Sequence, residues 1–285
     1  MFDSAITAAE GTPKGYWVGG TEYGSYMSNA AWEVYLSEMR DVHRCQYVAG
    51  SGGELEEKNG RPPKMASFAS SSRMIHNLSK DIPGFVFEKQ LPTVIGGKAN
   101  LDGFLEAGRS CIFVEAKCRE PYSHTAIQTI KKNYKSVYAC LREKMPRVFS
   151  CVMEEIPDNR DMKVVFFCRG EAVAYFDIKQ MICHLLSVAN EMLSREEEKD
   201  VLFLYLLYNP AGLKLPQESR EEILGIFEDT CRMALGYRFN EMYGHIVDFL
   251  VKETCMSISA EKIEGLKRAF RFVLCDQHTY KTYLK

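Results

Sequence analysis

The stretch "NLDGFLEAGRSCIFVEAKCREPY", residues 100–122, places three ionisable side chains inside segments that otherwise have the apolar pattern of buried β-strands. They are Asp102, Glu115 and Lys117. Burying a charge is costly unless it is paired or coordinates a metal ion, so a fold without a chemical need for these groups would avoid the pattern. The stretch therefore predicts a functional site on a β-hairpin.

The turn of this hairpin decides which side chains meet. We place the turn at 107–108, which puts Asp102 opposite Phe113. Because side chains alternate across a strand, Glu115 and Lys117 then share the face of Asp102. The two carboxylates become diagonal neighbours, with Cα atoms roughly 7–8 Å apart. The alternative, an exposed ion pair on a solvated face, fits less well because the apolar Phe113 lies on the same face.

Two carboxylates at this range repel each other unless a cation lies between them. Oxygen ligands, with no histidine or thiolate nearby in the sequence, favour Mg²⁺ or Mn²⁺ over zinc. The lysine two residues after the second carboxylate is placed to stabilise a phosphate oxygen or to hold an attacking water molecule. The pattern predicts metal-dependent chemistry on a phosphodiester.

Asp102, twelve intervening residues and then Glu115-Ala116-Lys117 resemble the D…(D/E)-x-K signature of the PD-(D/E)xK, or restriction-endonuclease-like, nuclease superfamily. The resemblance implies an αβββαβ core from residue 72 to about 208 and hydrolysis of DNA by an endonuclease or exonuclease. It implies that Asp102 and Glu115 bind Mg²⁺, with Mn²⁺ as a substitute, and that Lys117 assists attack on the scissile phosphate. It also allows a homodimer. One departure is Leu101, where the signature has proline.

The expected fold is α/β, with a mixed central sheet flanked by helices and with helical additions at both ends. We expect an N-terminal helix and a Gly/Pro/Ser-rich loop over 1–71, the nuclease-like core over 72–210 with an insertion at about 122–176, and a helical extension over 211–285. The predicted strands form an antiparallel meander followed by a central strand covered on both faces. They are 84–91, 99–106, 110–117 and 200–210.

Other segments have weaker local signals. Residues 28–44 predict one amphipathic helix, 48–73 a long loop, and 72–80 a short helix capped by serine. Residues 163–176 predict a hairpin turned at Arg169–Gly170, and 270–275 a late strand.

Two segments are candidates for the core helix that follows the meander. The first is 124–144, whose basic stripe is consistent with a phosphate-binding surface or, equally, with a solvated helix face. The second is 178–193, capped by Asp177, which leads directly into the predicted central strand and so fits the implied order better. It carries Gln180 and His184, similar to the Gln-x-x-x-Tyr helix of RecB-type members. We expect Gln180 to orient the site and His184 to be a surface or packed residue.

Further acidic ligands are less well defined. If Gly96–Gly97 forms the first turn, Leu91 faces Asp102 and Glu88 points to the other face. The superfamily often supplies an acidic residue from its first helix, and either Glu54 or Glu33 is available here. The candidates for contacts with the nucleic-acid backbone, for several of which capping or surface solvation is an equal explanation, are Lys64, Ser72, Arg73, Arg119, Lys131 and Lys135.

Composition limits these hypotheses. The net charge of −2 over 285 residues means that DNA would have to bind through a local basic surface. The ten cysteines are scattered singly, several of them within apolar runs, and this pattern predicts small, reduced core residues. The N-terminus has no signal-peptide pattern and no apolar run approaches the length of a membrane span, so we expect a cytoplasmic protein without membrane contact.

Two alternatives remain at this stage. One is a catalytically inactive nuclease fold that binds nucleic acid or a protein partner. The other is a phosphodiesterase acting on small molecules. The near-neutral charge suits both somewhat better than it suits a nonspecific nuclease.

Overall fold

The computed structural model describes residues 26–50, 53–58, 60–67, 69–118, 127–156, 159–173, 175–212 and 217–284. These residues form an α/β protein in which helices flank a mixed central sheet, as the sequence predicts. The strands are β1 (Val86–Pro92), β2 (Lys98–Ala107), β3 (Ser110–Lys117), β4 (Ile127–Lys131), β5 (Phe149–Glu155), β6 (Asp161–Cys168), β7 (Glu171–Ala172), β8 (Asp200–Leu207) and β9 (Phe270–Cys275). The helices are α1 (Asn29–Glu38), α2 (Asp41–Ala49), α3 (Ser71–Ser79), α4 (Lys135–Lys144), α5 (Ile178–Ser194), α6 (Gln217–Gly236), α7 (Phe239–Thr254) and α8 (Ala260–Ala269).

The central sheet has the strand order β1-β2-β3-β8-β9. Its first three strands form the predicted antiparallel meander, and β8 runs parallel to both of its neighbours, β3 and β9. The apolar run "VLFLYLL" explains the position of β8, since a strand covered on both faces buries nearly every side chain. The predicted late strand is confirmed as β9. Helix α5 comes after the meander in the chain and packs on its strands β1 and β2.

The hairpin turn differs from the prediction. It lies at Gly108–Arg109, so that Ala107 pairs with Ser110 and Phe104, not Asp102, pairs with Phe113. Gly108 has a φ of +58°, the conformation that a two-residue turn with glycine in its first position needs. The predicted register is therefore wrong by two residues. Because side chains alternate with a period of two, this shift leaves every residue on its predicted face.

A second sheet lies between β3 and α5 in the chain and has the order β4-β6-β5, with β7 paired to β6. The predicted helix over 124–144 is wrong here: 124–126 lie outside the described residues, 127–131 form β4, and only 135–144 are α-helical. Antiparallel pairing with β6 overrides the helical periodicity of "IQTIK", which is rich in β-branched residues. Strand β5 was not predicted. The predicted turn at Arg169–Gly170 is confirmed.

The predicted helix over 28–44 is also corrected. It is two helices, α1 and α2, separated at Met39 and Arg40, whose backbones are extended. The Met39 side chain is buried in the core, and the Arg40 guanidinium donates a hydrogen bond to the Lys80 carbonyl oxygen after α3. The break therefore buries one of its two residues and links the other to the end of α3.

A chain of hydrogen bonds joins α1 and α2 to α3. Arg40 contacts His43 Nε2 at 2.6 Å, His43 Nδ1 contacts His76 Nε2 at 3.2 Å, and His76 Nδ1 contacts Tyr35 Oη at 2.7 Å. Arginine can only donate, so His43 Nε2 must accept. His43 Nδ1–H then donates to His76 Nε2, and His76 Nδ1–H donates to Tyr35. Both histidines must be neutral for this order to hold.

This chain of hydrogen bonds predicts that the stability of the folded protein decreases in acid. Burial, followed by the charges of His43, Lys80 and Arg40, lowers the pKa of His76 from 6.5 to about 4. The unfolded state binds the proton first, so this contribution to stability is complete above pH 6.5 and is lost as the pH falls towards 4. The expected loss is roughly 3 kcal/mol, at about 1.4 kcal/mol for each unit of pKa.

Urea unfolding as a function of pH measures this loss. We expect His76→Gln, which keeps a donor and an acceptor, to flatten the decline. His278→Gln, a substitution at an exposed histidine, serves as the control and should leave the profile unchanged. If the free energy of unfolding of His76→Gln fell in acid as steeply as that of the wild type, His76 would not be the cause of the decline.

The ten cysteines are all free, and five of them are buried. The predicted core position is wrong for Cys45 and Cys255, which are exposed. No helix among the described residues is both long and apolar enough to cross a bilayer.

Candidate functional site

Asp102, Glu115 and Lys117 lie at a cavity of about 430 Å³ on one face of the β2–β3 hairpin. The pairing of β2 with β3 extends to Gly103–Val114, and Asp102 and Glu115 are the next residues along the two strands. They are close enough for the charge of Glu115 to raise the pKa of Asp102. The charged and amide residues that line the cavity include Glu54, Glu88, Asp102, Glu115, Lys117 and Gln180.

Glu115 is held between two cationic or potentially cationic groups. Its Oε1 atom is 2.6 Å from Lys117 Nζ, and its Oε2 atom is 2.9 Å from His184 Nε2. Only 1% of Glu115 and 8% of Lys117 are exposed. Burial alone would raise the pKa of Glu115, but Lys117 and then His184 outweigh it, so that the pKa lies below its usual value. Glu115 is therefore an ionised carboxylate in a nearly dry environment.

Asp102 has the opposite electrostatic character. Burial of its carboxyl group, followed by repulsion from Glu115, raises its pKa well above 3.8. The charge of Lys117 and a hydrogen bond donated by the Ala116 backbone N–H to Oδ2, at 2.6 Å, oppose this shift without cancelling it. The result is a carboxyl group whose ionised form needs a further positive charge.

Glu88 is the third carboxylate at this point. The predicted pairing of Leu91 with Asp102 is wrong: Leu91 pairs with Ala99, and the pairs on either side of Glu88 place it opposite Asp102. Glu88 is buried, lines the cavity and adds to the raised pKa of Asp102. Its φ of +52° is unusual for a residue other than glycine and marks local strain in β1. Asn100 donates a hydrogen bond to its Oε2 atom.

Of the two other acidic candidates, Glu54 lies at the cavity and Glu33 does not. Glu54 is buried, accepts a hydrogen bond from Ser72 Oγ at 2.9 Å and pairs with Lys64 Nζ at 2.8 Å. Glu33 is exposed on α1. The Gly-rich loop, rather than the first helix, therefore supplies the carboxylate.

The structure separates the two candidate core helices. Helix α4, all that remains of the first candidate, packs on β5 and α7, whereas α5 packs on β1 and β2 and covers the site. Helix α5 is capped by a hydrogen bond from Gln180 N–H to Asp177 Oδ1. Gln180 lines the cavity, one turn before His184. His184 is packed, as expected, but its contact with Glu115 makes it part of the site.

The candidates for backbone contacts have different environments. Arg73 is 3% exposed and is not among the residues that line the cavity, so its burial does not favour the predicted contact with phosphate. Ser72 is buried and holds Glu54, whereas Lys64 is exposed at the cavity edge. Lys131 and Lys135 are exposed, and Lys135 pairs with Glu155 at 3.0 Å. Arg119 lies outside the described residues.

Three further polar residues near the site, Lys98 and Asn100 on β2 and Lys179 on α5, were not predicted from the sequence. The spacing of the first two could have indicated their position, because every second residue of a strand lies on the same face, and 98 and 100 therefore share the face of Asp102. Lys179 immediately precedes Gln180 and offered no separate pattern.

The donor set can be tested against the metal implied by the sequence. Among the described residues, no three His, Cys, Asp or Glu side chains form a complete metal-binding group. Mg²⁺ commonly takes only one or two protein carboxylates, with water and substrate phosphates as its other ligands. Asp102 and Glu115 fit that role, since a cation between them would offset the repulsion that raises the pKa of Asp102.

Fold and cavity together define an α/β protein with a mixed five-stranded sheet and a carboxylate-rich pocket at its meander. Comparisons of the chain with known protein families, with curated proteins and with solved structures found no match.

Proposed function

We propose that this protein is a metal-dependent nuclease that hydrolyses DNA phosphodiester bonds. The observation that carries the proposal is the convergence of Asp102, Glu115 and Lys117 in one cavity. The alternation of side chains predicts that the three residues share a face. Their burial favours a chemical role, because buried charges are costly unless they are paired or bind a metal ion. A structural role alone would not require four carboxylates, those of Glu54, Glu88, Asp102 and Glu115, beside Lys117 in one small cavity.

Each residue has a role that follows from its environment. Asp102 and Glu115 would hold Mg²⁺ or Mn²⁺, which when bound neutralises charge on the scissile phosphate and lowers the pKa of water. Lys117, beside Glu115, orients the attacking water and balances negative charge. His184 keeps Glu115 ionised and fixed, and Gln180 orients the phosphate from α5.

A second candidate is a non-catalytic binding module with the same cavity. The specific observation in its favour is that both carboxylate oxygens of Glu115 are already in contact with cationic or imidazole groups, Oε1 with Lys117 and Oε2 with His184. The ion pair between Lys117 and Glu115 would then be structural.

Incubation with supercoiled plasmid and Mg²⁺ or Mn²⁺ separates the candidates. We expect nicking that EDTA abolishes and that scales with protein concentration. Full inactivity with every divalent metal would favour the binding module. Cleavage of bis(p-nitrophenyl) phosphate, without any nicking of DNA, would instead indicate a small-molecule phosphodiesterase.

A further inference from the structure

A second cavity, of about 620 Å³, opens beside the first. The two cavities share Asn100 and Gln180 as lining residues. Its walls come from β2, from the inserted strand β4 and from the start of α5. The inserted sheet therefore extends the carboxylate pocket into a longer groove.

The lining of this second cavity carries more positive than negative charge. Lys98, Lys131 and Lys179 face two carboxylates, Asp161 and Asp177. Asp177 is engaged as the cap of α5, where the positive end of the 17-residue helix offsets its charge. Asp161 is opposite Lys131 in the strand register.

The three lysines differ from Lys64 and Lys117 at the first cavity, which both form ion pairs. Within the described part of the chain, none of them has a carboxylate oxygen within 4.0 Å. Lys98 and Lys179 make only long contacts, of 3.4 Å, to Gln90 Oε1 and to the Thr129 carbonyl oxygen. Lysines in ion pairs are already satisfied, so these three are available for a polyanion.

We propose that this second cavity binds a single polynucleotide strand next to the scissile phosphate, with Lys98, Lys131 and Lys179 as contacts to its phosphates. The inference rests on the proposed nuclease function. Pockets of roughly 300–1,000 Å³ hold small ligands, which leaves room for a few nucleotides and not for a double helix. Tyr134, which lines the cavity and donates a hydrogen bond to Cys183 Sγ, presents an aromatic surface for a base.

The test measures binding in EDTA, so that cleavage plays no part. The probe is a fluorescein-labelled single-stranded oligonucleotide of about 12 nucleotides, within the ~4–16 that single-strand grooves cover, followed by fluorescence anisotropy. We expect the triple variant Lys98→Ala, Lys131→Ala, Lys179→Ala to weaken binding by at least ~10-fold and to reduce the slope of log K against log[salt] by about 2, at roughly 0.7 for each phosphate contact.

A triple variant of exposed lysines elsewhere, Lys80→Ala, Lys252→Ala, Lys281→Ala, removes the same charge and should bind like the wild type. Arginine at the three groove positions should restore affinity. Equal weakening in the control triple, no binding by the wild type, or equally tight binding of a blunt duplex of the same length would overturn the inference.

Failure of this inference can be told from failure of the proposed function. If the plasmid is nicked but the groove triple binds normally, the subsite is wrong and the nuclease stands. If the oligonucleotide binds through the three lysines but no metal supports nicking, the subsite stands on a non-catalytic protein.

Discussion

Asp102→Asn should abolish plasmid nicking and, in the same preparation, make the protein more stable. The loss of activity should be at least roughly 1,000-fold, because a metal-binding carboxylate contributes several kcal/mol to charge stabilisation. The gain in stability has a separate cause. Asp102 is forced beside Glu115 and Glu88, and asparagine removes its charge while its amide oxygen still accepts the bond from Ala116 N–H.

The gain in stability depends on pH in a defined direction. Since the folded-state pKa of Asp102 is raised, the folded protein holds a proton that the unfolded chain has released above about pH 3.8. The wild type therefore loses stability as the pH rises from 3.8 through the folded-state pKa. Asp102→Asn lacks this loss, so its advantage should grow with pH and reach about 0.5–2 kcal/mol, the usual range for a single stabilising substitution.

Thermal unfolding with and without Mg²⁺ tests both parts. In EDTA the variant should melt a few degrees above the wild type, at about 2–4 °C for each kcal/mol. Added Mg²⁺ should raise the Tm of the wild type alone, because a ligand stabilises only the state that binds it. Asp200→Asn, at the exposed start of β8, is the matched control and should change neither Tm nor nicking. A less stable Asp102→Asn protein would contradict the electrostatic account.

Lys117→Ala should lower nicking by roughly 100- to 1,000-fold, the cost of removing one positioned group that stabilises developing charge. It should also lower stability, in contrast to Asp102→Asn. Glu115 is 1% exposed and owes its lowered pKa first to Lys117, so removing the ammonium group leaves a buried carboxylate with His184 as its partner. Breaking a buried ion pair costs about 3–5 kcal/mol, and we expect the lower end because His184 stays in place.

Lys117→Met separates charge from packing, since it keeps a long apolar side chain. We expect it to be as inactive as Lys117→Ala but less destabilised. Lys163→Ala, at an exposed lysine of β6, is the control and should nick plasmid like the wild type. Urea unfolding and nicking rates are the measurements. Full nicking activity in Lys117→Met would remove the lysine from the proposed chemistry.

Some of the features behind these two predictions can be read from the local sequence, and others cannot. The alternation of apolar and charged residues in 100–117 predicts two strands with Asp102, Glu115 and Lys117 on a common face. That prediction tolerates an error of two residues in the turn, because a period of two restores every side chain to its face. The buried strand β8 was predictable because a strand covered on both faces is a continuous apolar run. The edge strand β9 is only partly buried and was predictable from its aromatic and β-branched residues.

Other features depended on contacts between distant segments. The run 127–131 has helical spacing, yet it is a strand because β6 offers it a pairing partner. Glu88 was assigned to the wrong face, because one loop between β1 and β2 sets the register and its length was misjudged. Arg73 has a side chain suited to binding phosphate, but the folded chain buries it.

The sequence by itself determined the chemistry of the hairpin, because neighbours on one strand face are set by covalent spacing. Only the tertiary structure decided which other groups complete the site. Glu54 comes from a loop before α3, and His184 comes from a helix beyond the inserted sheet. Their approach to Glu88, Asp102 and Glu115 depends on how helices and loops pack on the sheet, and such packing has no signature in any short stretch of chain.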